Sequence, residues 1–388
     1  MRFLIFVCGE GLGHTGRCIS LANELLSAGH EVTIGAYGYS KELIERSGHM
    51  VTEIPQELKL SGKDGSLDLR GSIMATVQGI SIKDMVHVTG LVKRIDPHFV
   101  ISDGYYLGII AAKRNRINRC MIVNQSSMQD FFKGKGPAVG LAGSVVRLFY
   151  TWIYNNIDII FVPDLDPPLT ICGSNLAFPE GVEEKVEFTG PVLRKRFDEV
   201  VPLDDVKRPH VLCSIGGFGY RIHIFRKILR VAEMDKSINY TLIGGPDLDY
   251  SLLEKVPDNV DIRKLIADPF PYYRSSDLII CTGGHGTLTE SLSFGLPVIS
   301  FPDQSHNEQE NNARLLEKNG YGSFFTYSAT PEEVLGAIHT LINDGSYRSG
   351  TSELREKAQV MDGPVYIRKR LEGIVNGEKG IFKGSSSH

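Results

Sequence analysis

Short apolar runs alternate along the chain with longer stretches whose apolar residues return every three or four positions. RFLIFVC (2–8) is followed by HTGRCISLANELLSAG (14–29), and HEVTIGAY (30–37) by SKELIERSG (40–48). Runs of that length read as strands and the longer stretches as amphipathic helices, and a β-α-β-α order calls for a parallel sheet with helices on its faces. HFVISDG (98–104), CMIVNQ (120–125) and DIIFVPD (158–164) are each short and apolar, which suits strands covered on both faces. The first half is therefore expected to form one doubly wound domain.

The rhythm breaks at PVLRKRFDEVVPLDDVKRP (191–209), which is charged, bears prolines and has little periodicity, as a connection between two cores should. Alternation resumes with HVLCSIGG (210–217), a helix around 221–234, NYTLIGGP (239–246), VDIRKLI (260–266), SDLIICTGG (276–284), the helix TLTESLSFG (287–295) and LPVISFP (296–302). The expected organisation is a Rossmann-like domain over 1–192, a linker over 193–209, a second Rossmann-like domain over 210–362 and a last helix over 363–378 packing across the domains. The fold class is α/β, with two doubly wound domains facing a central cleft.

Composition narrows the class further. At 388 residues the chain exceeds one ordinary core, and 42% hydrophobic with 23% charged residues is the balance of a water-soluble globular protein. No apolar run is long enough to cross a bilayer, and the glycines and glutamate that follow the first run are unlike a secretory signal. Six scattered cysteines with no C-x-x-C pair lead to a cytoplasmic expectation. A formal charge of −4 gives no global reason to bind nucleic acid, and the basic KRNRINR (113–119) reads as a solvated helix end. The terminal GSSSH is low in complexity and is set aside from fold reasoning.

Candidate chemistry concentrates at glycine turns between a strand and a helix. In CGEGLGHTGR, Gly11 and Gly13 clear side chains from the start of the first helix, where exposed N–H groups receive ligands. A dinucleotide fingerprint would want a third glycine where His14 stands, and an acid closing the second strand, which ends IGAYGY; a nicotinamide dehydrogenase ranks low. His14 is a candidate general base, and Asp103, ending the strand VISD at the same sheet edge, is the acceptor that would orient it. Taken singly, His14 as a helix cap and Asp103 as the start of a turn are equally good readings.

The second half repeats the device. In TGGHGT, Gly283, Gly284 and Gly286 bare the start of the next helix and Thr287 adds a hydroxyl, while SIGGFG (214–219) offers a second bare turn. Two such turns at one edge suit a diphosphate, although tight-turn geometry alone also uses glycine. Glu290, three residues after Thr287, stands within reach of a diol, and the loop DQSHNEQENNA supplies Glu308 and Gln309 for sugar hydroxyls. PDLDP (163–167) contains an Asp-x-Asp, but in a proline-rich loop far in sequence from the diphosphate turn it reads as a turn, so no metal is expected.

Together these residues resemble the GT-B nucleotide-sugar glycosyltransferases, above all the enzymes that add N-acetylglucosamine to lipid-linked peptidoglycan precursors, and the UDP-glucuronosyl and plant UDP-glycosyltransferases. The likeness covers nearly the whole chain and is most specific in LIADPFPYYRSSDLIICTGGHGTLTESLSFGLPVISFP followed by EQENNA. It implies a UDP-sugar donor as co-substrate with no other cofactor. Backbone at Ile266 would meet the uracil and Glu290 the ribose. Gly286 and Thr287 would take the pyrophosphate, with Gly284 and His285 also in the donor site, Gly216 and Gly217 would line the cleft, and Glu308 and Gln309 would hold the sugar. Thr282 and His285 depart from the plant pattern, which has histidine at the first and a tryptophan or small residue at the second.

The reaction implied is metal-independent transfer to an acceptor hydroxyl with inversion, His14 acting as base beside Asp103. Relatives with lipid-linked acceptors direct attention to 131–156, where Phe131, Phe132, Leu148, Phe149, Trp152 and Tyr154 mingle with Lys133, Lys135 and Arg147. That mixture suits an anionic lipid surface on the inner face of the cell membrane, and equally an amphipathic helix packed on the core. The rival functions are a UDP-sugar 2-epimerase, for which the extra sugar-facing carboxylates and histidines are not clearly found, and a non-catalytic nucleotide-sugar-binding subunit.

Overall fold

The apolar runs of the first half line up side by side as one parallel sheet. The computed structural model describes residues 1–9, 12–57, 62–63, 66–67, 81–126, 137–216, 221–245, 248–253, 255–304 and 306–377. The first lobe contains β1 (Arg2–Val7), α1 (Leu12–Ser27), β2 (Glu31–Ala36), α2 (Gly38–Arg46), β3 (Val51–Glu53) and a small antiparallel ribbon of β4 (Gly62–Lys63) and β5 (Ser66–Leu67). It continues with α3 (Ile82–Ile95), β6 (Phe99–Asp103), α4 (Tyr106–Arg114), β7 (Asn118–Ile122), α5 (Pro137–Asn155), β8 (Ile159–Val162) and β9 (Val186–Phe188).

The second lobe contains β10 (His210–Ser214), α6 (Ile222–Met234), β11 (Asn239–Ile243), β12 (Val260–Arg263), α7 (Phe270–Ser275), β13 (Leu278–Cys281) and α8 (His285–Ser293). It ends with β14 (Val298–Ser300), α9 (Asn307–Lys318), β15 (Gly322–Phe324), α10 (Pro331–Asn343) and α11 (Gly345–Val360), after which α12 (Gly363–Val375) completes the described chain.

Strand order explains where ligands can bind. The first sheet runs β3-β2-β1-β6-β7-β8-β9 and the second β12-β11-β10-β13-β14-β15. In each the chain winds outward from its first strand, then returns to that strand's other side. Loops leaving β1 and β6 therefore diverge, as do those leaving β10 and β13, and each pair opens a crevice at the strands' carboxyl ends. The short strands β3, β9 and β15 carry no strong sequence signal because each has three residues, lies at a sheet edge and is only partly buried.

Both faces of the central strands are covered. Phe3, Ile5 and Val7 enter one core cluster and Leu4 and Phe6 another, while in β13 Leu278 and Ile280 face one layer and Ile279 and Cys281 the opposite one. A parallel sheet of that kind leaves no alternating polar face to read in the sequence. None of the six cysteines is in a disulfide, and all are buried. No helix among the described residues is long and apolar enough to cross a membrane.

Two contacts fix the lobes relative to each other. Leu165 and Ile171, in the loop after β8, share a core cluster with Leu288 and Leu292 of α8 and Leu354 of α11. The last helix returns to the first lobe, where Ile367 and Leu371 are fully buried among Phe3, Leu21 and Leu25. Arg368 Nε donates to Glu24 Oε1 at 2.6 Å, and His30 Nε2 lies 2.8 Å from Glu372 Oε1. Asp362 caps this helix by accepting from Val365 N–H and also receives Arg196 Nη1 at 2.7 Å, which ties the inter-lobe connection to the helix start.

Leu371→Ala would leave a hole where the last helix meets the first lobe and is expected to cost about 2–5 kcal/mol. A lower urea midpoint measures it; Met50→Ala, at a side chain 92% exposed, should stay within about 0.5 kcal/mol of the unaltered protein.

Candidate active site

The crevice between β1 and β6 gathers His14 and Arg17 around one buried carboxylate, that of Asp103. His14 Nδ1 lies 2.6 Å from Asp103 Oδ1. Arg17, one turn further along α1, donates Nη2 to Asp103 Oδ1 at 2.6 Å and Nε to Oδ2. Burial acts to raise the Asp103 pKa, but the charges of Arg17 and His14 and their hydrogen bonds outweigh it and hold the group well below the usual carboxylate range. Asp103 is therefore an anion near neutral pH. Gly104 follows it at φ +72°, a left-handed conformation that side chains rarely adopt, and a Cβ there would press to 3.0 Å from Cys8 Cβ. His14 is 30% exposed and its Nε2 has no hydrogen bond among the described residues, which leaves that nitrogen open to a substrate.

The second crevice, between β10 and β13, opens onto the N-terminus of α8. Gly283 turns the chain at φ +84°, and a Cβ there would collide with Ser300 Oγ. Gly284 precedes the helix without any side-chain cap, and a Cβ on it would meet nothing within 4 Å. The first intrahelical bond is Leu288 N–H to Gly284 C=O at 3.1 Å, so the N–H groups of His285, Gly286 and Thr287 lack helical partners. Gly216 adopts φ +78°, with Arg221 Nη1 donating to the carbonyl of Ile215 beside it at 2.7 Å. Ile266 is half-buried in the loop between β12 and α7, and its backbone polar groups make no hydrogen bond among the described residues. Gly11 and Gly217 lie outside the described residues.

The two glycine turns meet. A Cβ on Gly286 would stand 3.2 Å from Gly13 Cα, and one on Gly13 would stand 3.8 Å from Gly286 Cα. The starts of α1 and α8 thus face one another with no side chain between them. Each helix start carries roughly half a positive charge, so their contact favours an anion bound beside it, at the exposed N–H groups.

The remaining candidates are placed differently from one another. Glu290 faces the cleft but is already paired: Arg194 Nε donates to its Oε1 at 2.9 Å and Nη2 to Oε2 at 3.2 Å. Glu308 accepts from Asn124 Nδ2 of the first lobe at 2.9 Å. Gln309 is buried, and its amide is spent on Asp303, accepting the backbone N–H at 2.9 Å and donating to Oδ2 at 3.3 Å. Asp303 in turn holds Arg221 and the Tyr327 hydroxyl, partners that outweigh burial and keep its pKa below the ordinary value. Glu308 thus stands at the lobe boundary with its Oε1 held by Asn124 and, at 3.5 Å, by Asn312 Nδ2, while Gln309 organises the loop beside it.

His285 turns its side chain away from the helix start, into the lobe interface. Its Nε2 lies 3.4 Å from Asp164 Oδ2, so the aspartate of the Asp-x-Asp is far in sequence from the second glycine turn yet adjacent in space. Asp164, Cys172 and His285 present potential metal-binding atoms within 4.8 Å of one another. Asp164 is nevertheless saturated, with Oδ2 accepting from Thr170 Oγ1, Ile171 N–H and Cys172 N–H and Oδ1 from Leu165 N–H. Burial also pushes the Cys172 thiol well above its ordinary pKa, away from the thiolate a metal needs. These groups shape the loop and join the lobes.

Sequence reasoning passed over Arg17, Asn124 and Arg194. Arg17 lies three residues after His14, the spacing that places two side chains on one helix face, and that signal was available. Arg194 sat in a stretch read only as linker. The pairing of Asn175 with Asn312 (Nδ2 to Oδ1, 2.7 Å) and with Asn311 (2.9 Å) joins residues of opposite lobes, and no local pattern announces it.

Comparison with known proteins gives this geometry a family. Residues 242–362 match the glycosyltransferase family 28 C-terminal domain and residues 1–152 match glycosyl transferase family 1. An uncharacterized glycosyltransferase of Methanosarcina mazei is 47% identical over 96% of this chain and 98% of that protein. UDP-N-acetylglucosamine--N-acetylmuramyl-(pentapeptide) pyrophosphoryl-undecaprenol N-acetylglucosamine transferase of Thermoanaerobacter sp. is 24% identical over 96% of this chain and 100% of that one. The solved structure of spinosyn rhamnosyltransferase SpnG complexed with thymidine diphosphate is similar in fold, with a TM-score of 0.67 at 16% identity over 96% of this chain and 100% of that one. Nearly half of its residues are shared with a glycosyltransferase along almost the full length, on the paired sheets such enzymes carry, and the chain belongs to the GT-B glycosyltransferases.

Proposed function

We propose that the protein transfers a sugar from a UDP-sugar to an acceptor hydroxyl, without a metal and with inversion at the anomeric carbon. The observation that carries this reading is the meeting of two helix starts at Gly13 and Gly286, with the His14 ring beside them. A diphosphate held at the N–H groups beside that contact brings its bond to the sugar next to a base. The Thermoanaerobacter relative is named for a UDP-sugar, and SpnG was solved with thymidine diphosphate, so a pyrimidine nucleoside diphosphate is common to both.

In the proposed reaction the acceptor hydroxyl gives its proton to His14 Nε2 while its oxygen attacks the anomeric carbon from the face opposite the diphosphate. The carbon–oxygen bond to the diphosphate breaks, and UDP leaves with the electron pair. Asp103 accepts from His14 Nδ1–H and stabilises the imidazolium that forms. Charge growing on the leaving oxygen is met by the N–H groups of Gly286 and Thr287, oriented before the reaction begins. Glu290 exchanges Arg194 for ribose hydroxyls, and Glu308 receives hydroxyls of the sugar.

The acceptor reading adds an anionic membrane surface. On α5 the residues facing inward are Tyr150, Ile153 and Tyr154, all buried, whereas Leu148, Phe149 and Trp152 are exposed at 66%, 39% and 40%. Tyr154 therefore belongs to the core, donating its hydroxyl to Ser126 C=O at 2.7 Å. Lys113 Nζ stands 4.5 Å over the Trp152 ring, and Arg147, next in sequence to Leu148, is exposed, so cations accompany the outward apolar side chains. Phe131, Phe132, Lys133 and Lys135 lie outside the described residues.

Three measurements test these assignments. His14→Ala should lower turnover by about 10²–10⁴-fold with UDP affinity unchanged by calorimetry; near-full turnover removes the base. Glu290→Ala should weaken UDP binding by about tenfold or more, the value of a charge-assisted hydrogen bond, and an unaltered affinity removes the ribose role. Flotation with phosphatidylglycerol vesicles at low salt should carry the protein upward, and Trp152→Ser with Leu148→Ser should abolish this; failure of the unaltered protein to float eliminates the membrane surface.

A further inference from the structure

Two buried polar side chains belong neither to the His14–Asp103 pair nor to the glycine turns, yet they connect the first lobe's base to the second lobe's sugar-side carboxylate. Arg17 is 6% exposed and Asn124 8% exposed. Beyond its two bonds to Asp103, Arg17 donates Nη2 to Asn124 Oδ1 at 3.0 Å, and the same nitrogen lies 2.8 Å from His14 Nδ1. A guanidinium only donates, so it holds the oxygen end of the Asn124 amide and turns the NH₂ end outward; the flipped amide would set donor against donor. That NH₂ crosses the lobe boundary to Glu308 Oε1 at 2.9 Å. Neutralising Asp103 would account for two of the Arg17 contacts but leaves its hold on Asn124, and the reach of Asn124 to the other lobe, without a purpose.

We propose that Arg17 and Asn124 are positioning residues which tie the His14–Asp103 pair to Glu308, so that the base is set in place when the second lobe's sugar-side carboxylate docks on the first. This rests on the reading of His14 as the base and Glu308 as a sugar ligand. A sugar hydroxyl arriving at Glu308 lies within reach of the Asn124 amide. Any shift of that amide changes the third contact of Arg17, and Arg17 also holds Asp103, the acceptor of His14 Nδ1–H. The occupied state of the donor site is thereby conveyed to the imidazole through four hydrogen-bonded groups, and an open cleft leaves the base unset.

Asn124→Ala breaks this connection while leaving the Arg17–Asp103 ion pair, and with it the fold, in place. With UDP-N-acetylglucosamine and UDP-glucose as probes, ¹⁵N-histidine spectra of the unaltered protein should show the His14 ring signals, identified by their loss in His14→Ala, shifting on addition of UDP-sugar but not of UDP. In Asn124→Ala that shift should vanish with UDP affinity within about twofold of the original. Release of UDP by hydrolysis of the sugar nucleotide should fall at least tenfold in Asn124→Ala, yet no more than about twofold further when the change is made in Glu308→Gln, because coupled residues are not additive. Arg17→Lys keeps the charge but not the fork and should move the acidic limb of the pH–rate profile. An unchanged His14 response in Asn124→Ala, or equal losses in both backgrounds, overturns the relay while leaving UDP binding intact. Absence of UDP binding in the unaltered protein sinks the donor reading and the relay together.

Discussion

The close approach of two helix starts governs this molecule. Gly13 and Gly286 touch through backbone alone, and a methyl group on Gly286 would already sit 3.2 Å from the opposite Cα. Since each helix begins with unpaired N–H groups, bringing two of them together concentrates positive potential that water or an anion must answer. The sheets are arranged to make this happen: β1 and β10 are each the first strand of a sheet whose order reverses beside it. The rest of the packing, from the return of α12 to the insertion of Leu165 and Ile171 between second-lobe helices, holds that juxtaposition in place.

The forces across the lobe boundary are of two kinds. Apolar contacts of Leu165 and Ile171 with Leu288, Leu292 and Leu354 supply adhesion without direction. Direction comes from polar pairs: Asn175 with Asn312, Asn124 with Glu308, Arg194 with Glu290 and His285 with Asp164. Such a hydrogen bond is worth about 1 kcal/mol net between neutral groups and about 1.5–3 kcal/mol where a charged group takes part, so the set specifies one mutual orientation of the lobes.

Charge is handled by burial and pairing. Asp103 and Asp303 are both enclosed, each is claimed by an arginine in or at the start of a helix beyond a glycine turn, and each stays ionised although burial alone would neutralise it. Arg17 thereby anchors the first turn and Arg221 the second, one in each lobe. The two lobes solve the same problem with the same kind of pair, although their sequences around these residues, HTGR and GYRI, have little in common.

The central strands were legible because residues buried on both faces must be apolar at successive positions, and the glycine turns because bare helix starts need residues without side chains. His14 and Asp103 could be assigned to one edge, since each ends or follows a strand of the same sheet. Their separation of 2.6 Å, the place of Arg17 against both, the burial of Gln309 against Asp303 and the meeting of Asp164 with His285 could not. Periodicity and local glycine spacing report the solvent exposure and backbone freedom of single elements, and these the chain determines by itself. Contacts between side chains from opposite lobes depend on how two finished sheets pack, a property of the assembled surfaces that no stretch of sequence carries alone, and only the tertiary structure decided them.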